Sequence, residues 1–223
     1  MNADGSPAGQ PFFCSWSGGK DSCLALYHAV RSGGKPEALL TMLSEDGMSS
    51  RSHALPRPLL EEQARSLGMR PVFRSASWED YEEEFVSALR ELRREGIEAG
   101  VFGDIDLDPH REWVRRVCAQ AGITPVHPLW RRGRRKLLEE FVALGFAAAI
   151  VVVNEEKLDG RFLGRTIDAG TIAEMEAAGI DPSGERGEYH TVVTNGPLFA
   201  SEVRIRQDGR RRHEGYAFLN VRL

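Results

Sequence analysis

The sequence is poor in cysteine and has neither a long apolar run nor a large excess of one charge. Its three cysteines, Cys14, Cys23 and Cys118, form no C-x-x-C pair and have no histidine nearby at metal-ligand spacing. This weighs against a disulfide framework or a structural zinc site and predicts a reducing, cytoplasmic location. The longest apolar run, residues 146–153, is far shorter than the ~18 residues typical of a membrane helix. It predicts a buried strand, and we expect no membrane association.

The charge balance and the length limit the remaining classes. The 223-residue chain has a formal net charge of −4, so its composition does not favour nonspecific binding to DNA or to anionic membranes. With 41% hydrophobic residues, it is long enough for one sizeable core, or for one core and a small appended unit. Residues 1–10 lack the basic and apolar regions of a secretory signal, and we expect them to form a disordered tail.

Apolar, strand-like runs alternate with amphipathic, helix-like segments along most of the chain. The strand-like runs are residues 12–16, 38–43, 71–73, 100–102, 124–127 and 147–153. This alternation predicts an α/β fold in which helices wrap a parallel sheet. One helix is predicted from Trp78 to about Glu95, with its aromatic side chains in the core, and another is predicted from Asp108.

The pattern changes after Asn154. The following residues are rich in glycine, aspartate and glutamate, and two alternating segments, 203–206 and 216–223, flank Gln207-Asp208-Gly209. That tripeptide is typical of a hairpin turn, and the arginines at 210–212 are expected in a solvated turn beside it. We therefore predict a large domain at residues 11–154 and a smaller β-containing region at 155–223.

A loop after the first strand-like run has the features of a phosphate site. It reads Ser17-Gly18-Gly19-Lys20-Asp21-Ser22 and precedes a helical pattern. Glycines allow a tight turn, a helix start offers unpaired N–H groups and a positive dipole, and serine hydroxyls are donors for phosphate oxygens. The spacing excludes a Walker A loop, since Cys14 and Asp21 stand where glycine and serine or threonine are required, and a G-x-G-x-x-G turn is absent. The string S-G-G-x-D-S resembles the pyrophosphate-binding loop (PP-loop) of the ATP pyrophosphatases.

Five motifs, in order, resemble the diphthine–ammonia ligase family, which belongs to the ATP pyrophosphatases. Besides the loop at 17–22 they are Gly103-Asp104-Ile105, Pro128-Leu129-Trp130, Leu163-Gly164-Arg165 and Gly184-Glu185-x-Gly187-Glu188-Tyr189-His190-Thr191. The match extends from about residue 12 to residue 199. The resemblance implies a doubly wound parallel sheet of the adenine nucleotide alpha hydrolase-like (HUP) type with a smaller C-terminal α+β region. It also implies that residues 11–154 bind the nucleotide and that residues 155–223 bind the substrate.

The same resemblance implies an ATP-dependent ligase. In that family ATP adenylates a carboxylate, pyrophosphate leaves, and ammonia attacks the acyl-adenylate to give an amide and AMP. The implied cofactors are ATP and Mg²⁺, and the implied partners are ammonia and a carboxylate acceptor, for example a diphthine-bearing translation elongation factor. A homodimer is a further expectation. Two alternatives stay open at this point: a nucleotide-binding sensor without turnover, and an ATP pyrophosphatase that thiolates tRNA, although thiolation usually requires paired reactive cysteines.

The candidate site residues come from these motifs. The nucleotide-binding candidates are Ser15, Ser17, Gly18, Gly19, Lys20, Asp21, Ser22, Gly103 and Asp104. The substrate-binding candidates are Gly184, Glu185, Gly187, Glu188, Tyr189, His190 and Thr191. Asp21 and Asp104 offer the hard oxygen ligands that Mg²⁺ takes beside phosphates; the alternative for Asp21 is a charge that complements the dipole of the helix.

The catalytic candidates are Lys20, Asp21, Glu188 and His190. A lysine in a phosphate loop would stabilise the departing pyrophosphate, and histidine is the side chain best suited to proton transfer near neutral pH. Residues 52–56, Ser-His-Ala-Leu-Pro, depart from the ligases of the family, and acceptor recognition could differ there.

Overall fold

The computed structural model describes residues 6–223, which form two compact units. The first contains the described residues up to Ser17 together with Asp21–Arg51 and Gly68–Arg132. The second contains Gly18–Lys20, Ser52–Leu67 and Gly133–Leu223. The expected division at residues 154 and 155 therefore falls inside the second unit.

Nine strands and six α-helices account for most of the described residues. The strands are β1 (Pro11–Ser15), β2 (Lys35–Leu43), β3 (Arg70–Ser75), β4 (Ala99–Val101), β5 (Thr124–Val126), β6 (Ala147–Asn154), β7 (Tyr189–Asn195), β8 (Arg206–His213) and β9 (Tyr216–Arg222). The helices are α1 (Lys20–Arg31), α2 (Arg57–Ser66), α3 (Tyr81–Arg94), α4 (Asp108–Ala121), α5 (Arg134–Ala143) and α6 (Ala169–Ala177).

The first unit contains a parallel sheet with the strand order β3-β2-β1-β4-β5. Its central strand β1 carries three consecutive fully buried residues, as expected of a strand covered on both faces. The order reverses at β1, and right-handed crossovers in opposite directions place α1 on one face and α3 and α4 on the other. The predicted α/β fold with a doubly wound parallel sheet is confirmed.

The apolar stripes of α3 and α4 pack on this sheet. Phe85 and Leu89 of α3 and Val117 of α4 are buried in one cluster with β1 and β2 residues. Trp78 differs from the prediction, because its side chain is 74% exposed and lies before the start of α3. Its ring instead faces the guanidinium of Arg51, 4.2 Å from the ring centroid, so a cation–π contact replaces the expected core position.

The second unit contains an antiparallel sheet with the strand order β7-β6-β9-β8. Its central strand β6 was the sixth apolar run in the sequence, and the assignment of that run to the parallel sheet is wrong. A continuous apolar run indicates burial on both faces, and it does not distinguish a parallel strand from a central antiparallel one. The β6 pairings with β7 and β9 also explain why the chain does not divide at Asn154.

The C-terminal hairpin is present, but its turn lies further along the chain than predicted. Glu214 and Gly215 connect β8 to β9 with φ values of 49° and 79°, and two positive φ values are typical of a type I′ turn. Asp208 and Gly209 lie inside β8, where the pairing with β9 shifts register. The arginines at 210–212 are consequently strand residues and not the turn residues that we expected.

The expected disordered tail is ordered from residue 6 onwards. Pro7 is buried, and the N–H of Gly9 donates to the carbonyl of Gly33 at 2.9 Å. Residues 1–5, to which the same expectation applied, lie outside the described part of the chain. Within the described part, no helix is both long and apolar enough to cross a membrane.

Candidate active site

The loop that follows β1 starts where the parallel sheet reverses its order. The connections from β1 and β4 leave in opposite directions, and open α/β sheets usually bind ligands at that point, beyond the carboxyl ends of the strands. The six candidate loop residues are divided between the units, with Ser17, Asp21 and Ser22 in the first. There the hydroxyl oxygens of Ser17 and Ser22 lie 3.1 Å apart, and Ser15, the last residue of β1, is half-buried.

The loop that follows β4 lies against the start of α1. A Cβ added to Gly103 would come within 2.9 Å of the backbone carbon of Asp21 and of the nitrogen of Ser22. Both are backbone atoms, so no side chain fits at position 103 without moving the helix start. The next residue, Asp104, is therefore held near Asp21 by a close approach that only glycine permits.

The carboxylate of Asp104 faces two imidazoles. Its oxygens lie 3.6 Å from Nδ1 of His110 on α4 and 3.6 Å from Nε2 of His127, which follows β5. His127 is buried and stacks on Phe102, with 5.6 Å between the ring centroids. Neither histidine belongs to a motif or to a metal-ligand spacing, so neither could be identified from the sequence.

The donor set fits a magnesium ion bound together with substrate phosphates. No group of three or more His, Cys, Asp or Glu side chains within residues 6–223 has the geometry of a protein-only metal site. Mg²⁺ at phosphate-transfer sites usually takes one or two carboxylates and completes its shell with phosphate oxygens and water. Asp21 and Asp104 supply that number of carboxylates.

The other half of the loop, Gly18–Lys20, is bound by β7 in the second unit. The carbonyl oxygen of Gly18 accepts the N–H of Val193 at 2.9 Å and the Nε2 amide of Gln63 at 3.1 Å. The same Nε2 donates to the carbonyl of Val193 at 2.7 Å, so one amide bridges the loop and the strand. Gly18 has a φ of 80°, and a Cβ there would come within 2.5 Å of Leu55. Both facts require glycine at this position.

Lys20 and Thr191 bring two of the sequence motifs together. The backbone N–H of Lys20 donates to Oγ1 of Thr191 at 3.0 Å. The side chain of Lys20 is buried, and its ammonium lies 5.6 Å from the centroid of the Tyr189 ring. Lys20, Tyr189 and Thr191 are therefore neighbours, although Lys20 is separated from Thr191 by 171 positions.

The residues before β7 form a tight turn. The N–H of Gly187 donates to the carbonyl of Gly184 at 3.1 Å, and the two glycines have φ values of 80° and 76°. Glu185 lies half-buried in this turn. The carboxylate of the buried Glu188 accepts the N–H of Arg186 at 2.9 Å, and the Tyr189 hydroxyl donates to the carbonyl of Pro182. Glu188 thus stabilises its own turn.

His190 is paired with a histidine that no motif contains. The ring centroids of His53 and His190 lie 4.7 Å apart at an interplanar angle of 37°, and Nδ1 of His53 lies 2.7 Å from the carbonyl oxygen of Thr191. The pKa of His53 is lowered to about 4: burial is the main cause, the hydrogen bond to Thr191 opposes it, and the cation of Lys20 adds to the lowering. The sequence suggests that acceptor recognition differs at residues 52–56, but it does not show that His53 of this segment lies beside Gly19 of the phosphate-type loop.

Comparisons with known proteins agree with the motifs. Residues 12–125 match the family model described as the diphthamide synthase N-terminal domain, and residues 133–222 match the diphthamide synthase C-terminal domain. The human protein named diphthine–ammonia ligase is 27% identical over 212 residues, which cover 84% of this chain and 79% of that protein. The zebrafish (Danio rerio) protein of the same name is 28% identical, covering 85% of this chain and 84% of its own.

A solved structure described as a predicted subunit of tRNA methyltransferase from Methanocaldococcus jannaschii is also similar. It is 19% identical with a TM-score of 0.47, covering 84% of this chain and 98% of its own, a likeness too weak to bear on function. The two family models, in contrast, together span nearly the whole sequence. The chain therefore belongs to the diphthamide synthase family, whose relatives named above are diphthine–ammonia ligases.

Proposed function

We propose that this chain is an ATP-dependent ligase that adenylates a carboxylate and amidates it with ammonia, releasing AMP and pyrophosphate. The observation that carries the proposal is the contact between Lys20 and Thr191, which joins the phosphate-type loop to the Gly184–Thr191 motif, whose last residues belong to β7. The relatives named diphthine–ammonia ligase supply the reaction class.

Adenylation requires stabilisation of the leaving pyrophosphate. A carboxylate oxygen attacks the α-phosphorus, the bond from that phosphorus to the bridging oxygen of the β-phosphate breaks, and negative charge accumulates on pyrophosphate. Lys20 is buried, and a buried cation stabilises developing negative charge more strongly than a solvated one. The start of α1 at Lys20 adds the positive end of a helix dipole, and the hydroxyls of Ser17 and Ser22 add donors.

Magnesium belongs to the same step. We propose that the carboxylates of Asp21 and Asp104 hold the ion, which when bound would neutralise charge on the phosphates. The glycine at position 103 supports this assignment, because it permits the loop that carries Asp104 to approach the backbone of Asp21.

Amide formation needs a neutral nitrogen nucleophile and a place for its proton. The ammonia nitrogen attacks the acyl carbon, the bond from that carbon to the AMP oxygen breaks, and one proton leaves the nitrogen. We propose that His190 accepts that proton, since imidazole is the group best suited to proton transfer near neutral pH. Glu188 contributes by stabilising the turn that precedes His190, through its bond to the N–H of Arg186.

The structure disfavours tRNA thiolation. All three cysteines are buried, and burial raises the pKa of Cys14 and Cys23 well above the usual range and that of Cys118 to about 12. Thiolation chemistry depends on the thiolate, which these environments suppress.

The acceptor is proposed by analogy with the names of the relatives. A diphthine-bearing protein is the first acceptor to test, and other carboxylates form the comparison panel. A homodimer and a cytoplasmic location stay predictions from the sequence.

The test is product analysis with labelled ATP and magnesium, with and without ammonium and each acceptor. We expect AMP and pyrophosphate whose formation depends on the acceptor, and we expect amide product only when ammonium is present. The variant Lys20→Met removes the charge at nearly constant length and should lower AMP formation at least ~100-fold. Tight ATP binding without AMP under any condition would instead indicate a nucleotide sensor, and ADP as product would exclude the adenylation step.

A further inference from the structure

His53 makes three contacts that connect separate parts of the second unit. Its Nδ1 lies 2.7 Å from the carbonyl oxygen of Thr191, and its ring lies 4.7 Å from the ring of His190. A Cβ placed on Gly19 would come within 2.4 Å of Cε1 of His53. The imidazole therefore touches the phosphate-type loop, the backbone of β7 and the proposed proton acceptor at once.

The Thr191 contact fixes the state of the His53 ring. A carbonyl oxygen only accepts hydrogen bonds, so Nδ1 of His53 carries the proton and donates it to Thr191. In a neutral ring Nε2 then holds the lone pair, and the lowered pKa keeps the ring neutral at physiological pH. His53 is therefore held in one tautomer without a charge that would repel the Lys20 ammonium.

Thr191 transmits this restraint to the loop. Its carbonyl accepts from His53, and its Oγ1 accepts the backbone N–H of Lys20 at 3.0 Å. One residue of β7 is thus bonded on its backbone to the imidazole and on its side chain to the start of α1. A change at His53 reaches Lys20 through Thr191, and it reaches His190 through the contact between the two tilted rings.

We propose that His53 is a positioning residue for this ligase, which orients His190 and holds Thr191 in the place where it binds the Lys20 N–H. This inference rests on the proposed function, because it assigns His190 and Lys20 to the reaction. It adds a residue that lies outside all five sequence motifs.

Two variants separate the parts of the His53 contact. His53→Ala removes both the donor and the ring, whereas His53→Asn places an amide N–H where Nδ1 stands and keeps the bond to Thr191. We expect His53→Ala to lower kcat for acceptor-dependent AMP formation roughly 10- to 100-fold, with KM for ATP changed less than about 3-fold. The kcat of His53→Asn should be at least about 5-fold higher than that of His53→Ala, because the Thr191 carbonyl again accepts a hydrogen bond.

Gln63→Met provides the matched comparison for a purely structural role. Gln63 also bridges Gly18 and β7, but its bonds go to the carbonyls of Gly18 and Val193 rather than to Thr191. Thermal unfolding of each variant measures the structural cost. If His53→Ala and Gln63→Met lose kcat in proportion to their loss of thermal stability, or if His53→Ala retains kcat within about 2-fold of the unsubstituted enzyme, the proposal is overturned.

A second readout does not depend on turnover. The ring-proton NMR resonances of His190 should shift in His53→Ala, because the neighbouring aromatic ring 4.7 Å away is gone. The affinity for α,β-methylene-ATP should fall less than about 3-fold. If the unsubstituted protein forms no AMP with any acceptor, the proposed function is overturned. The NMR measurement then still shows whether the His53 ring affects His190. Unchanged His190 resonances in His53→Ala would overturn the positioning role whatever the activity.

Discussion

Replacing Gly19 with alanine tests the packing at the phosphate-type loop directly. An alanine Cβ would lie 2.4 Å from Cε1 and 3.0 Å from Nδ1 of His53, and 3.1 Å from the carbonyl oxygen of Thr191. The φ of Gly19 is not in the left-handed region, so strain in the backbone does not contribute. The cost comes from displacing a ring that is hydrogen-bonded to β7.

The size of that cost follows from three effects. Overpacking of this kind costs about 1–3 kcal/mol, and loss of the His53–Thr191 hydrogen bond costs about 1 kcal/mol. Replacing glycine by alanine also restricts the unfolded chain, and this effect offsets about 0.5–1 kcal/mol of the loss in stability. We therefore expect Gly19→Ala to lower the free energy of unfolding by about 1–3 kcal/mol. In a His53→Ala background the two shortest contacts disappear, and the same substitution should cost about 1 kcal/mol or less.

The assay is urea unfolding of the four proteins in this double-mutant cycle, at pH 7 and equal ionic strength. Gly170→Ala is the control, since its added Cβ would meet nothing closer than 3.4 Å and lies within α6, where alanine is favoured. We expect the control to be neutral or stabilising. If Gly19→Ala costs the same with and without the His53 ring, the clash with that ring is not the cause of the destabilisation.

Three further predictions concern Thr191 and Asp181 of the second unit and Asp21 of the first. Thr191→Val removes the hydroxyl that accepts the N–H of Lys20 and should lower the free energy of unfolding by about 1–2 kcal/mol in urea titrations. Thr191→Ser keeps a hydroxyl and should retain most of the stability of the unsubstituted protein. Asp21→Asn should lower magnesium-dependent AMP formation at least ~10-fold while the thermal midpoint stays within about 3 °C; unchanged pyrophosphate release would remove Asp21 from the mechanism. Burial raises the pKa of Asp181, but its hydrogen bonds and the Arg134 guanidinium outweigh burial and hold the pKa below its usual value. Since a lowered carboxyl pKa stabilises the fold above the unfolded pKa of about 3.9, Asp181→Asn should cost about 1 kcal/mol at pH 7. The difference should shrink as the pH falls below about 4 and disappear below the lowered pKa of Asp181; a difference that stays constant with pH would refute this.

The parallel sheet could be predicted because its strands are short apolar runs separated by helical periods. The prediction failed at β6, since burial on both faces looks the same in either sheet type. It failed at Trp78 because the spacing of the aromatic residues begins one turn before the actual start of α3 at Tyr81. In the hairpin, Asp208-Gly209 is a typical turn signal, but these two residues lie inside β8 at the shift in its pairing register with β9. The turn itself is made by Glu214 and Gly215.

Most of the candidate site could be identified from local strings, and its assembly could not. The Ser17–Ser22 loop and the residues from Gly184 to Thr191 are each recognisable on their own. Their meeting at Lys20 and Thr191 depends on the long-range pairing between Gly18 and Val193. Gln63 and His53, which complete that arrangement, come from a segment whose polar residues carry no motif, so only the tertiary structure identifies them.

The contacts of Gly18 with β7 have a consequence for solubility. β7 is an outer strand of the antiparallel sheet, and outer strands expose rows of backbone groups on which another chain can add a strand. On β7 the N–H of Val193 is taken by Gly18, its carbonyl by Gln63, and the carbonyl of Thr191 by His53. The phosphate-type loop and the segment around α2 therefore act as a cap that prevents edge-to-edge aggregation. Variants that release this cap should tend to self-associate even where their sheet remains intact.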